Sequence, residues 1–347
     1  MNWVPEHALS LQSRVHAPER VNLPAAIAGV TWRPMTPADA SAIHQLERVA
    51  GRVDHPGFVT TLEAFEHDLG RDEVDLHTDS LLGLADDGTV VAWAMTTLSP
   101  QDGDVVKVAV PGCVHPDWRG RGLGTAIMAW HDERGRQQLA TSTKSLPGWL
   151  ASYADERAGD RIALFESWGY DLRRWWLELE RDLADTIVEV PLDPALRLQL
   201  YGPEWSEPTR LARNDVFLDH WGSLPTSAAD WAATDALPIA RPDLSWIAVD
   251  PATAEVVAFV LTSVNEEEWV ADGRTSGYIE YVGVRRAWRG HGLARALLSR
   301  TMLSYRDAGL AFAILDVDSE SPTGATALYS GIGFRPINRS VSLVKEL

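Results

Sequence analysis

The sequence predicts an α+β protein with two tandem domains, each a mixed, mostly antiparallel sheet flanked by helices. Three observations lead to this prediction. The chain has 347 residues, which corresponds to two domains at roughly 100–200 residues each. Two short motifs occur in the same order in both halves. The strands and helices predicted around these motifs also recur in one order, which indicates a duplicated domain.

The two motifs define the repeat. Residues 114–124 recur 170 positions later as residues 284–294, and both segments contain Trp-Arg-Gly followed by a second glycine and a leucine. Residues 164–170 recur 164 positions later as residues 328–334. The shift changes by only six residues between the motifs, so a loop of different length between them accounts for the change.

Each half contains the same series of elements. Apolar runs around a turn predict a hairpin at residues 81–84 and 90–95, and again at 244–249 and 256–261. A further strand (107–114; 278–284) leads into the glycine-containing motif. Apolar side chains at helical spacing follow it, as at Leu123, Ile127 and Trp130. In the second half, a buried strand at 311–317 and a helix over 325–332 follow, and a last strand completes the series in each half.

The expected domain boundaries follow from the repeat. Residues 1–28 precede it and form an N-terminal arm, residues 29–188 form the first domain, and residues 189–347 form the second. The junction is expected near residues 185–193, because Pro191 and Pro194 follow the apolar segment 175–183 there.

Composition excludes several function classes. The chain has 31 Lys and Arg against 49 Asp and Glu, a net charge of −18, which disfavours nucleic-acid binding. The single cysteine, Cys113, excludes an intramolecular disulfide and a cysteine-based zinc site, and the ten histidines show no metal-ligand spacing. No apolar run is long enough for a membrane span, and the N-terminus lacks signal-peptide features. We therefore expect a cytoplasmic protein without metal, membrane or nucleic-acid partners.

The glycine-rich segments join a strand to a helix in each half. Glycines allow a tight turn that presents successive backbone N–H groups, and a helix N-terminus adds positive potential. This arrangement predicts a phosphate or diphosphate site in each half. The spacing is neither the G-x-G-x-x-G of dinucleotide folds nor a G-K-[ST] loop, so both of those classes are excluded.

Both loops, R-G-x-G-L-[GA] after a strand, resemble the acetyl-CoA diphosphate loop of the GNAT superfamily of N-acyltransferases. Residues 327–334 resemble the family's closing A-x-L-Y-x-x-x-G-F segment. The resemblance covers residues 29–347 and implies two tandem GNAT domains with acetyl-CoA as co-substrate. The cofactor-binding residues that it implies are Val114, Arg119, Gly120, Arg121, Gly122, Leu123 and Gly124 in the first half, and Val282, Val284, Arg289, Gly290, His291, Gly292, Leu293 and Ala294 in the second.

The resemblance also implies two catalytic residues, both in the second half. Tyr329 matches the tyrosine that protonates the departing CoA sulfur, and Glu280 matches an acidic position that draws a proton from the amine through water. The aligned residues of the first half are Phe165 and Val110, which have no proton to exchange. We therefore expect a catalytic second domain and a non-catalytic first domain.

The backbone groups at Val282 and Val284 are expected, from the resemblance, to hold the pantetheine arm and polarise the thioester carbonyl. Strand alternation would place Glu280 on the same face as these two valines.

The expected reaction is direct attack of an amine on acetyl-CoA in a ternary complex. The acceptor is expected to be a small, cationic molecule, because the chain is acidic and rich in tryptophan, with 15 indoles. Two alternatives stay open: a non-catalytic protein that binds or senses acyl-CoA, and an N-acetyltransferase that acts on proteins. A homodimer also stays open.

Overall fold

The computed structural model describes residues 9–71, 74–99, 103–321 and 324–347. The chain divides into two compact units. The first unit is Met1–Arg174 with Ser340–Leu347, and the second unit is Trp175–Arg339. The repeat instead predicts a boundary at residue 188 and a C-terminus that belongs to the second domain. The difference arises because residues 176–182 pair with 312–318, while residues 340–346 pair with 149–155. A hydrophobic pattern identifies a strand but not its partner.

The helices and strands of the described residues are labelled in chain order. The α-helices are α1 (Leu11–Arg14), α2 (Ala40–Asp54), α3 (Leu62–Leu69), α4 (Leu76–Asp79), α5 (Leu123–Leu139), α6 (Gly159–Ser167), α7 (Ser206–Val216), α8 (Ala228–Asp235), α9 (Glu266–Asp272), α10 (Leu293–Asp307) and α11 (Ala325–Ser330). The strands are β1 (Val30–Arg33), β2 (Ser80–Ala85), β3 (Val90–Met95), β4 (Thr97–Leu98), β5 (Val106–Ala109), β6 (Gly112–Val114), β7 (Gly148–Asp155), β8 (Asp171–Asp182), β9 (Arg197–Leu200), β10 (Trp246–Asp250), β11 (Glu255–Ser263), β12 (Ser276–Val284), β13 (Phe312–Asp318) and β14 (Arg335–Glu346).

The first unit contains two groups of paired strands. One is the antiparallel series β1-β2-β3-β6. In the other, β4 pairs antiparallel with β5, β5 pairs parallel with β7, and β7 pairs antiparallel with the end of β14. The sequence predicted one strand over residues 107–114, but the structure divides it into β5 and β6 around Val110 and Pro111. Proline has no N–H for a strand ladder, and the chain passes from one group to the other at this point.

The second unit has one series of strands, in the order β8-β13-β12-β11-β10-β9. Neighbouring strands are antiparallel except β12 and β13, which are parallel. Apolar side chains of α10, including Leu297 and Tyr305, pack on one face of this series together with Ile279 of β12. Side chains of α7 and α8, including Trp231, pack with Phe259 on the other face. The two faces of β12 therefore point to different helices.

The N-terminal arm lies against α5, the helix after the first glycine loop, and the loop that ends this helix. The buried Leu11 donates its backbone N–H to the Lys144 carbonyl at 2.9 Å. Arg136 of α5 donates to the Val15 carbonyl at 2.7 Å. In the second unit, Val190 donates to Ser299 of α10 at 3.2 Å. Residues of the arm and the residue Val190 thus contact the loop helix of their own unit.

None of the described helices combines the length and apolarity that a membrane span needs.

Candidate functional site

The glycine loop of the second unit joins β12 to α10. Gly290 and Gly292 have φ values of +81° and +76°, a left-handed conformation that favours glycine. A Cβ at either glycine would meet no protein atom within 4 Å. The side chain of His291 is exposed, with Nδ1 3.2 Å from the Trp288 carbonyl. The loop backbone is therefore open at the N-terminus of a 15-residue helix, as an anion site requires.

The arginine before each loop differs in its partners. Nε of Arg289 donates to the Val284 carbonyl at 3.2 Å, and Nε of Arg119 donates to the Val114 carbonyl at 3.2 Å. Arg119 also donates twice to Asp54, at 2.8 Å each. Within the described part of the chain, no carboxylate forms an ion pair with Arg289. Arg289 therefore keeps its charge available beside the second loop.

The parallel strands β12 and β13 separate after a short contact. They pair only from Ser276 to Tyr278, opposite residues 312–314. Residues 279–284 of β12 have no partner on the β13 side, so the strand opening lies between the two strands. Val282 and Val284 lie on this stretch, and their side chains pack on the core beside α10. Their backbone groups border the opening.

A β-bulge lies within β12. Leu261 of β11 pairs with Tyr281, whereas the next residue, Thr262, pairs with Ile279. Glu280 is therefore the extra residue, opposite no partner. Bulges reverse the alternation of side chains and redirect individual residues, often beside active sites.

The bulge changes the face on which Glu280 lies. Its carboxylate accepts a hydrogen bond of 2.5 Å from the hydroxyl of Ser263, and Ser263 pairs with Tyr278. Tyr278 points away from the core beside α10, because the next residue belongs to that core. The prediction that Glu280 shares a face with Val282 and Val284 is therefore wrong, since alternation does not continue through a bulge.

Two further carboxylates lie on the face of Glu280. The Tyr278 hydroxyl donates to Asp316 of β13 at 2.8 Å, and Asp316 is the cross-strand partner of Glu178 on β8. Much of Glu280 is reached by solvent. Even so, the surrounding protein raises the pKa of its carboxyl by desolvation; Asp316 raises it further, and the hydrogen bond from Ser263 opposes both. Burial also raises the pKa of Asp316. This face therefore favours cations and proton acceptance.

Tyr329 lies on α11, which packs on β13. Its ring is buried and meets Phe334 edge-on, with ring centroids 5.8 Å apart. No described residue forms a hydrogen bond with its hydroxyl. Burial raises the pKa of Tyr329, so the phenol keeps its proton across the neutral range and can act as a proton donor.

The first unit has a cavity of about 370 Å³ beside its glycine loop and β6. The residues that line it include Gly112, Cys113, Val114, Arg119, Gly120, Gly122, Gly124, Met128, His131, Arg161 and Phe165. Phe165 is buried in the position that Tyr329 has in the second unit. Val110, which aligns with Glu280, also lines the cavity. The two aligned positions of the first unit therefore contain neither a carboxylate nor a phenol.

Sequence reasoning missed several polar residues of the two units. Ser263 carries no motif, and only the strand register brings it to Glu280. Alignment of the repeats could have revealed two others: the 164-residue shift places Asp316 opposite Ser152, and places Arg161 opposite Ala325. In both cases a charged residue of one unit replaces an uncharged residue of the other.

Comparison with known proteins follows the repeat. The family model described as "Acetyltransferase (GNAT) family" matches residues 43–170 and 205–334, once in each half. A mycothiol acetyltransferase of Salinispora tropica is 31% identical over 288 residues, which covers 76% of this chain and 84% of the relative. Within the described residues, no group of three or more His, Cys, Asp or Glu side chains could hold a metal ion.

Two solved structures are similar over nearly the whole chain. A GCN5-related N-acetyltransferase from Sphaerobacter thermophilus has a TM-score of 0.66 and 26% identity, covering 93% of this chain and 97% of that protein. A tandem GNAT protein from the clavulanic acid biosynthesis pathway has a TM-score of 0.65 and 16% identity, covering 91% and 98%. The predicted α+β fold with two GNAT-like domains is confirmed.

Proposed function

The chain belongs to the GNAT acetyltransferase family and is an acetyl-CoA-dependent N-acetyltransferase, and from this premise we propose that its second unit catalyses the reaction. One difference between the units supports the assignment. The second unit has Glu280 and Tyr329 where the first unit has Val110 and Phe165. The second unit alone therefore has a base and an acid at these aligned positions.

Acetyl-CoA is proposed to bind along the open side of β12. The loop N–H groups at Gly290 and Gly292, together with Arg289, would hold the diphosphate, since this loop is open and Arg289 has no ion pair within the described residues. The pantetheine arm would follow the unpaired edge at Val282 and Val284. With these contacts the thioester would lie at the strand opening, between the carboxylate face and α11.

Proton movements in this arrangement balance. The acceptor ammonium gives a proton to Glu280 through water, and the free amine nitrogen attacks the thioester carbon. The N–C bond forms and the C–S bond breaks. The departing thiolate takes a proton from Tyr329, whose raised pKa keeps the phenol protonated until that step. The acylated nitrogen gives its second proton through water to the Tyr329 phenolate, and Glu280 releases its proton to solvent, so that both residues return to their starting states. Ser263 holds the carboxylate of Glu280 in position.

The acceptor is proposed to be a small cationic amine. Glu280, Asp316 and Glu178 lie on one face beside the strand opening, and a cationic group is attracted to such a face. The relatives named mycothiol acetyltransferase make their acceptor the first candidate. The first unit would bind CoA without turnover, through the backbone of its loop, because its arginine is already paired with Asp54.

The test measures acetyl transfer to a panel of small amines through the release of free CoA thiol. The panel includes the acceptor of the mycothiol acetyltransferases and matched neutral analogues that lack the amine. The proposal expects turnover with at least one cationic amine and loss of that turnover in Glu280→Gln. Equal turnover by Glu280→Gln and the wild type would contradict it.

A further inference from the structure

Arg161, near the start of α6, forms hydrogen bonds to both β6 and β7, and the space between these two strands is the strand opening of the first unit. Its guanidinium donates to the Gly112 carbonyl on β6 at 2.9 Å, and to the Tyr153 carbonyl on β7 at 3.1 Å. A third bond, of 3.1 Å, reaches the hydroxyl of Ser152. A guanidinium has five N–H donors, so two remain without an acceptor among the described residues. The ring of Phe165 lies 5.2 Å from the guanidinium carbon.

The guanidinium of Arg161 has no carboxylate partner within the described residues. The two carboxylates whose charges act on it, Glu47 and Asp54, already have other partners. Asp54 is paired with Arg119, and Glu47 accepts a 2.6 Å hydrogen bond from Trp93. A cation that protein surrounds without a counter-ion is unfavourable. An anionic ligand group would supply the missing partner.

The cavity lining also contains the Asp54–Arg119 ion pair, the exposed Asp160, and two uncharged polar groups, His131 and Cys113. His131 is buried, with Nε2 3.1 Å from the Met95 carbonyl and Nδ1 without a partner. Burial and Arg161 lower the pKa of His131 to about 3, so the imidazole is neutral. Burial raises the pKa of Cys113, which stays a thiol. Arg161 is therefore a positive charge between β6 and β7 that has no ion pair within the described residues.

We propose that the cavity of the first unit holds, without turnover, a coenzyme A thioester whose acyl group ends in a carboxylate, with that carboxylate bound by Arg161. The inference rests on the proposed CoA site of the first unit. Gly112, which accepts from Arg161, aligns with Val282 at the second opening, so a thioester in the first unit would bring its acyl end to the guanidinium. Planar guanidinium groups bind carboxylates through two parallel hydrogen bonds. The second unit has the uncharged Ala325 at the aligned position.

Calorimetric titration with succinyl-CoA and acetyl-CoA tests the proposal on a Gly292→Leu chain, in which the second loop is blocked. A Cβ at residue 292 would meet no protein atom within 4 Å, so a leucine there starts in open space over the loop. Succinyl-CoA is expected to bind the first unit at least about thirtyfold more tightly than acetyl-CoA, since breaking a buried charge pair typically costs this factor or more.

Two variants of Arg161 show whether the guanidinium causes the preference. Arg161→Ala introduces the second-unit residue, and Arg161→Gln keeps hydrogen-bonding capacity without charge; thermal unfolding verifies that each variant folds. Both are expected to bind succinyl-CoA and acetyl-CoA within about threefold of each other. The inference would be overturned if the Gly292→Leu chain with Arg161 in place bound succinyl-CoA and acetyl-CoA equally. It would also be overturned if a folded Arg161 variant still preferred succinyl-CoA. Failure of both thioesters to bind would overturn the first-unit CoA site itself, whereas wild-type acetyl transfer reports separately on the second unit.

Discussion

Replacement of Tyr329 by phenylalanine removes one hydroxyl and isolates the proposed acid. Tyr329 is 7% exposed, and its hydroxyl has no hydrogen-bond partner within the described residues. Loss of an unpartnered hydroxyl changes the free energy of unfolding little. An activity change in Tyr329→Phe therefore reports on chemistry, because the ring and its packing on Phe334 are retained.

The magnitude follows from the leaving group. A positioned general acid contributes about 10²–10⁴ in rate. A thiol with a pKa near 8.5 leaves readily, so the low end of that range applies. We expect kcat to fall about a hundredfold in Tyr329→Phe, or about 2.7 kcal/mol at 1.36 kcal/mol for each tenfold change. Initial rates of CoA thiol release, measured with a disulfide reagent at saturating acceptor, give this value.

The first unit provides a matched control. Phe165→Tyr moves the hydroxyl to the aligned position of the first unit, and the double variant Phe165→Tyr/Tyr329→Phe is expected to be as slow as Tyr329→Phe alone. The hydroxyl would be added to a ring that is 4% exposed, at a cost of about 1–3 kcal/mol if it finds no partner. A kcat for Tyr329→Phe within threefold of the wild type, or rescue in the double variant, would refute the proposed acid.

Three further predictions follow from the second unit. Ser263→Ala removes a hydrogen bond that lowers the pKa of Glu280, so the pKa of this carboxyl rises further. We expect kcat/KM to fall more near pH 6 than near pH 9, because the base is then protonated at the lower pH. A ratio of variant to wild-type kcat/KM that does not depend on pH would contradict the proposed base. Asp316→Asn removes a charge from the acceptor face, and we expect KM for a cationic amine to rise about tenfold with little change in kcat; an unchanged KM would exclude this role. A Cβ at Gly277 would lie 2.5 Å from ring atoms of Tyr305, so Gly277→Ala should lower the free energy of unfolding in urea by about 1–3 kcal/mol, and a neutral effect would mean that the ring can move.

The repeat made much of the fold predictable. Glycine spacing and apolar periodicity are local properties, so a helix was predicted after each glycine loop, and the structure has these helices from Leu123 and from Leu293. Strand partners are not local. The sequence showed strands near residues 175–183 and at the C-terminus, but only packing determines that residues 176–182 pair in the second unit and residues 340–346 in the first.

Site residues could be predicted where their position in a motif identifies them. Their orientation could not be predicted where it depends on the register of strand pairing. Glu280 and Tyr329 were identified from aligned motifs. The orientation of Glu280 depends on a one-residue bulge between β11 and β12, which periodicity does not reveal. Asp316 likewise reaches the same face only because β13 is parallel to β12 and pairs with β8. A single sequence contains no direct record of such pairings.

The most direct test of the central claim, catalysis in the second unit, compares kcat/KM for acetyl transfer in Gly292→Leu and Gly309→Leu. Both glycines have left-handed backbones, with φ of +76° and +82°, and a Cβ at either meets no protein atom within 4 Å. The strain of the substitution is therefore matched, but only Gly292 lies in the proposed diphosphate loop. We predict a loss of at least about a hundredfold in Gly292→Leu and less than about threefold in Gly309→Leu. Wild-type turnover by folded Gly292→Leu would contradict catalysis in the second unit.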